Sequence, residues 1–190
     1  MTAGSDSPRV EVRSRADLRD WLKKNHDISG TVWLVTWKKG TDHYVPFGDV
    51  VEELLCWGWI DSVGRGVDDL RTSTRISPRN PKSAWSGINK RLVAKARASG
   101  AMTLAGEAAI SRAEENGMWT FLDDVEAMVV PDDLARALGD DRETWEAWTP
   151  SVRRAWLEKV KLAKTAPTRE KRIAMCVAAA RAGTPRAGLD

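Results

Sequence analysis

The sequence predicts an α+β fold, a small mixed sheet flanked by helices and followed by an all-α C-terminal helical module. Short β-branched and aromatic runs alternate with helical periodicity up to about residue 120, and beyond Trp119 only helical periodicity remains. The 190 residues, 42% hydrophobic and 30% charged, suffice for one compact domain with an appendage. They exclude a disordered, collagen-like or coiled-coil chain. The expected division is a disordered tail at 1–9, an α+β core at 10–120 and a helical module at 130–183.

After the polar tail, Val10–Arg13 is a short strand. Ser14 is placed to cap a helix over Arg15–Asn25, with Leu18, Trp21 and Leu22 on one face. Thr31–Lys38, bounded by Gly30 and Gly40, is a strand with Val32, Leu34 and Thr36 on one face and Trp33, Val35 and Trp37 on the other. Both faces are apolar, as in a central strand. Pro46 opens a helix from Phe47 to about Trp57 with Val50, Val51, Leu54 and Leu55 inward. Gly58 stops it, Trp59–Val63 leaves as a strand, and Gly64-Arg65-Gly66 with Asp68-Asp69 supplies turn chemistry. Leu70–Ser77 alternates as a further strand, with Arg71, Ser73 and Arg75 on one face.

Pro78 and Pro81 precede a helix over about Ala84–Ser99, whose apolar stripe is Trp85, Ile88, Leu92 and Ala96; another helix spans about Thr103–Asn116. Pro131–Leu138, Arg142–Trp148, Ser151–Lys164 and Thr168–Ala182 complete the chain as helices. Ser151 and Thr168 are candidate caps there, and Pro150 and Pro167 candidate stops.

No apolar run approaches the roughly 20 residues of a membrane helix. Met1–Pro8 lacks the apolar stretch of a secretory signal, so a cytoplasmic protein with no membrane span is expected. Cys56 and Cys176 make no disulfide framework, and with two histidines they show no metal-ligand spacing. Phosphate-loop, dinucleotide, nucleophile-elbow and zinc-protease motifs are absent, so no cofactor and no metal is expected. The net charge of +3 hides blocks: +6 over Ile60–Gly100, -9 over Ala101–Pro150 and +8 over Ser151–Arg186. Such blocks either pack on one another or leave a basic site for an anion.

Ten tryptophans stand against two Phe and one Tyr; Trp57, Trp59 and Trp85, which bracket the first basic block, are candidates to line a pocket. Asp61, at the end of an apolar run, is either an acid/base group or a structural residue that caps a helix or pairs with Arg75 or Arg79. Arg71, Arg75 and Arg79 repel one another unless an anion or a carboxylate lies between them, and guanidinium suits bidentate capture of either. Ser83, Trp85, Ser86 and Asn89 occupy a loop and the first turns of a helix. Free N–H groups attract anions there, and the alternative is ordinary capping with Trp85 as a core anchor. Cys56 reads as a buried small hydrophobe and His26 as a helix-end cap.

The run Leu55-Cys56-Trp57-Gly58-Trp59-Ile60-Asp61-Ser62 resembles a signature of the YdeI/OmpD-associated family, also called bacteriocin-protection proteins. Pro78-Arg79, Ser83-Ala84-Trp85-Ser86, Asn89-Lys90 and Gly117-Met118-Trp119 continue the likeness. Ala163-Lys164, Thr168-Arg169 and Lys171-Arg172-Ile173 look like the family's C-terminal helical module, so that the resemblance spans about residues 10–183. Ser62 stands where the family commonly has Gly. The resemblance implies a cytoplasmic bacterial protein linked by name to resistance against antimicrobial peptides, and it brings no catalytic residues with it.

Three functions fit this sequence. The first is binding or sequestering a small aromatic or anionic molecule or an antimicrobial peptide through Trp57, Trp59, Arg71, Arg75, Arg79, Ser83, Trp85, Ser86 and Asn89. The second is a cofactor-free hydrolase or isomerase with Asp61 as acid/base. The third and least favoured is nucleic-acid binding through the basic helices Ser151–Lys164 and Thr168–Ala182, which carry no recognised signature. Binding and turnover both remain open at this point.

Overall fold

A computed structural model describes residues 7–189, so most of the tail expected at 1–9 lies outside the described residues. Arg9 already belongs to a strand. The chain divides into two compact units, residues 1–120 and 121–190.

In the first unit, β1 (Arg9–Glu11), β2 (Val32–Trp37), β3 (Trp59–Gly66) and β4 (Arg71–Pro78) form a mixed sheet in the order β1-β2-β4-β3. β1 is parallel to β2, and β4 is antiparallel to both of its neighbours. β2 is an inner strand, as its two apolar faces require.

Four helices accompany the sheet: α1 (Arg15–Asn25), α2 (Phe47–Cys56), α3 (Gly87–Ala98) and α4 (Leu104–Glu115). Ser14 Oγ accepts the Asp17 amide at 3.1 Å and so starts α1. Leu18, Leu22, Val50 and Leu54 from α1 and α2 pack on Val32, Leu34 and Ile76 of the sheet. Full burial of each such side chain contributes about 1.5–3 kcal/mol. The opposite side of α2 presents Val51 and Leu55 to Trp85, Val93, Ile110 and Ala113, forming a second cluster with α3 and α4.

Two local readings change. The Gly64-Arg65-Gly66 segment is strand, not turn, and the turn falls at residues 67–70. A register shift between Asp61 and Gly64 lets the glycine-bearing strand stay paired with β4. α3 begins three residues later than its pattern suggests, at Gly87, with Ser86 Oγ accepting the Asn89 amide at 3.3 Å. In this helix Ile88, expected in the apolar stripe, is exposed, and Val93 is buried.

The second unit contains α5 (Asp123–Glu126), α6 (Asp132–Leu138), a 3-10 turn at Gly139–Asp141, α7 (Arg142–Glu146), α8 (Pro150–Lys161) and α9 (Ala166–Arg181). Pro150 and Pro167 sit inside the first turns of α8 and α9 instead of ending what precedes them. A first-turn proline gives up no helical hydrogen bond, which is why the starts move upstream. Thr165 caps α9 in place of Thr168, and Thr149 precedes α8 in place of Ser151. Trp145, Trp156, Leu134, Leu157, Val160 and Cys176 form the buried interior. The acidic stretch lies on the basic helices: Lys161 on Asp124 at 2.6 Å, Arg154 on Glu126 at 3.3 Å, Arg169 on Asp133 at 2.6 Å and Arg181 on Asp141 at 3.0 Å.

Gly106 marks the tightest approach in the first unit. A Cβ there would run into the Cys56 carbonyl and the Met102 sulfur. Thr103, the cap of α4, donates its hydroxyl to the same Cys56 carbonyl at 2.6 Å. Gly106→Ala must push α4 off the end of α2 and should destabilise the protein by about 2–3 kcal/mol, read as a drop in thermal midpoint.

Candidate functional site

The residues singled out from sequence fall in three places. Trp59 is 1% exposed; it donates Nε1–H to the His26 carbonyl at 3.1 Å and meets the Trp21 ring edge-on at 5.6 Å. Trp57 is half-buried, tilted against His26, with Nε1–H donated to Glu53 at 3.2 Å. Both serve the interior at the end of α2.

The second group gathers around Arg79. Its guanidinium is buried, lies 4.0 Å from the Trp85 ring centroid, and donates to the Ala84 carbonyl at 2.6 Å through Nη2. Nε and Nη1 are buried without a hydrogen-bond partner among the described residues. Burial pulls the Arg79 pKa down to about 10, and the charge of Asp61 works against that shift. Trp85 is 1% exposed and tilts against Trp119. Ser83 closes a turn on Asn80, and Ser86 and Asn89 form the α3 cap. The adjoining cavity, lined by Arg79, Pro81, Trp85 and Ala113, measures about 10 Å3, room for about one water and no aromatic ligand.

The third group is the sheet face turned away from α1 and α2. Cross-strand register sets Arg9 and Arg75 on either side of Trp33, and Glu11 and Ser73 on either side of Val35. Arg71 is opposite Trp37 and Arg65 opposite Ser73. Arg65 rests on the Trp33 ring with Cζ 3.7 Å from its centroid, and Arg71 stands 5.7 Å from that of Trp37. Arg71 is held by Glu11 at 2.8 Å and Asp68 at 2.7 Å, whose carboxyl is kept below its ordinary pKa chiefly by this guanidinium. Arg9, Arg65 and Arg75 are exposed, and among the described residues none of them makes an ion pair. Trp33 beneath them is 6% exposed. The face therefore joins Arg71 and Arg75 as the strand alternation expects, and separates them from Arg79. Arg9, Trp33, Trp37 and Arg65 escaped the sequence reading, although the β2 alternation already put both tryptophans on one side.

Sequence reasoning also missed an ionic cluster behind α2. Glu52 and Glu53 are 2% and 1% exposed. Arg15 reaches Glu52 at 2.8 Å and Glu53 at 2.9 Å, Arg19 reaches Glu53 at 2.8 Å, and Lys95 reaches Glu52 at 2.6 Å. Burial opposes the Glu52 charge, but hydrogen bonds from Lys95 and Arg15 outweigh it and hold the carboxyl below its ordinary value of 4.5. Cys56 lies just beyond. Burial, helped by the Glu53 charge, pushes its thiol up to about 11, and burial raises Cys176 to about 12, so that both environments disfavour the thiolate. Among the described residues no cluster of three or more His, Cys, Asp or Glu is arranged to hold a metal ion, and no helix is long and apolar enough to cross a membrane.

In the second unit an open groove of about 610 Å3 runs along α9. Ala137, Ile173, Ala174 and Val177 line it, with Asp133 and Arg181 at its rim.

Residues 10–109, just over half of the chain, match the family model described as Domain of unknown function (DUF8412). The chain belongs to this family. Residues 127–183 match a second model, described as Bacteriocin-protection, YdeI or OmpD-Associated. The DUF8412 protein thus carries a YdeI/OmpD-associated segment inside its helical unit. The likeness read across residues 10–183 divides between the two models, and the Leu55–Ser62 run falls in the DUF8412 part. No curated protein and no solved structure matches the chain at a significant level.

The buried Glu52 sets a pH dependence. Its folded pKa is depressed, so the stabilisation it contributes is complete above its ordinary value of 4.5 and disappears as pH falls through the lower folded value. The thermal midpoint should hold between pH 7 and 5 and fall below about 4.5. Glu52→Gln should lose about 2 kcal/mol at pH 7 and show a shallower acid decline than the parent; parallel pH curves for the two proteins would remove Glu52 as the cause.

Proposed function

We propose that this DUF8412 protein binds a small anionic molecule carrying a planar ring, on the sheet face centred on Trp33. The observation behind this reading is that Arg65 lies on the Trp33 indole, that Arg9 and Arg75 are the cross-strand neighbours of Trp33, and that no carboxylate is paired to any of the three among the described residues. Exposed cations that crowd one spot repel, and an anion between them relieves the repulsion while accepting charge-assisted hydrogen bonds. Arg65, with Cζ 3.7 Å from the Trp33 ring centroid, offers its exposed side to a ring, because a guanidinium stacks on aromatic surfaces as well as pairing with anions. Capture without turnover is the form of this activity that accords with protection, the role for which the family matched at residues 127–183 is named.

A second reading concerns the groove along α9. Its apolar floor and mixed-charge rim suit the apolar side of an amphipathic helical peptide. The bacteriocin-protection name belongs to the family matched over this segment.

One titration separates the two. Calorimetry with a nucleoside monophosphate, an aromatic carboxylate and a cationic amphipathic peptide is run on the parent, Arg65→Gln, Arg75→Gln and Ala174→Glu proteins. The anionic reading expects binding of the aromatic anions and about tenfold weakening, ~1.4 kcal/mol, from each arginine substitution. Peptide binding lost only in Ala174→Glu would move the function to the groove. Anion binding indifferent to both arginines would overturn the sheet-face site.

A further inference from the structure

Trp33 and Trp37 lie on one side of β2, four residues apart, which at about 3.3 Å per residue separates them by roughly 13 Å. Each has an arginine at its ring, Arg65 at 3.7 Å and Arg71 at 5.7 Å from the respective centroids. A single small molecule fills one such stack; a repeated one suits a ligand that repeats. Resting on the anion-binding reading above, we infer that the sheet face binds single-stranded nucleic acid.

The chemistry selects that polymer. The unpaired cations Arg9, Arg65 and Arg75 flank Trp33 across adjacent strands about 4.8 Å apart, spacing that lets them engage the phosphates around one nucleotide. Arg71 is fixed by Glu11 and Asp68, so it acts as a wall at Trp37 and neutralises no phosphate. A base stacks on the exposed guanidinium plane of Arg65 in the way single strands stack on aromatic and arginine surfaces. Two buried polar atoms on this face, Ser73 Oγ and Trp37 Nε1, have no hydrogen-bond partner among the described residues. A duplex offers its phosphates but keeps its base faces stacked inside, so it gains nothing from the stacks. An acidic peptide satisfies the charges but supplies no repeated planar groups.

The test uses the full chain and fluorescence anisotropy of a labelled 12-nucleotide thymidine strand, its duplex with the adenosine complement, and a competing nucleoside monophosphate. Three neutralised phosphates predict a slope of log affinity against log salt near -2 for a single strand, about a twentyfold loss between 50 and 200 mM salt. The strand should bind at least tenfold tighter than the duplex. Arg65→Gln with Arg75→Gln should abolish that preference, whereas Lys23→Gln with Lys24→Gln, on the exposed side of α1, should leave it unchanged. Unchanged thermal midpoints would show that both double variants fold. Equal affinity for strand and duplex, or loss from the lysine variant as large as from the arginine variant, would overturn the inference. Monophosphate binding that depends on Arg65 without strand binding would overturn it and leave the small-anion reading standing. Binding of neither would remove both.

Discussion

Antiparallel pairing of β2 with β4, from Val32 opposite Ile76 to Trp37 opposite Arg71, decides what each side of the first unit can be. Side chains alternate along a strand, so this register puts Leu34 and Ile76 towards α1 and α2 and collects Trp33, Trp37, Arg71 and Arg75 on the other face. A slip of one residue would carry the tryptophans into the helix layer and leave the aliphatic residues outside. The arginines follow from the same constraint. With β3 locked to the far edge of β4, Arg65 arrives opposite Ser73 and reaches across to Trp33. Cation and ring thus meet across three strands, a hairpin bringing Arg65 to a tryptophan far from it in sequence.

On the helix side, α2 is enclosed from nearly every direction. Its Val50 and Leu54 serve the sheet cluster, and its Val51 and Leu55 serve the cluster with α3 and α4. A helix buried on two sides carries the intervening residues inward as well, and here those are Glu52 and Glu53. Two adjacent carboxylates survive burial only with partners close by. Arg15 and Arg19 reach in from α1 and Lys95 from α3, so the cost of burying charge becomes a device that orients both helices about α2.

The parts of this arrangement governed by local chemistry were legible in the sequence. The Ser14 cap, the limits of α1, the inner position of β2 and the shared face of Arg71 and Arg75 all follow from neighbouring residues. What escaped depends on strand pairing and on partners beyond the neighbouring residues. Gly64-Arg65-Gly66 has the composition of a turn, and only its pairing with Thr72–Thr74 makes it strand and aims Arg65 at Trp33. Glu52 and Glu53 look like a solvated charge pair until Arg15, Arg19 and Lys95 are seen around them. Trp59 and Trp85 had the right neighbours for a pocket, yet both indoles are buried in the interior, and the space beside Trp85 is far smaller than a ring.

Charge follows the same logic, because a block of like charges in sequence says little until its internal partners are subtracted. The C-terminal basic helices carry the denser block, and Asp124, Glu126, Asp133 and Asp141 take up Lys161, Arg154, Arg169 and Arg181 within the same unit. In the first basic block Lys95 is spent on Glu52, Arg97 on Glu107 and Arg71 on Glu11 and Asp68. Arg79 is withdrawn into the interior over Trp85. Of the block's other cations, Arg65 and Arg75 stand on the sheet face, joined by Arg9 from the start of the chain, and all three are exposed around one sheltered indole, whereas Lys82, Lys90 and Arg91 lie off the sheet. An anion approaching the first unit meets unneutralised guanidinium where the pairing of β1, β2 and β4 has concentrated it. The strand register, more than the net charge of the chain, decides where that is.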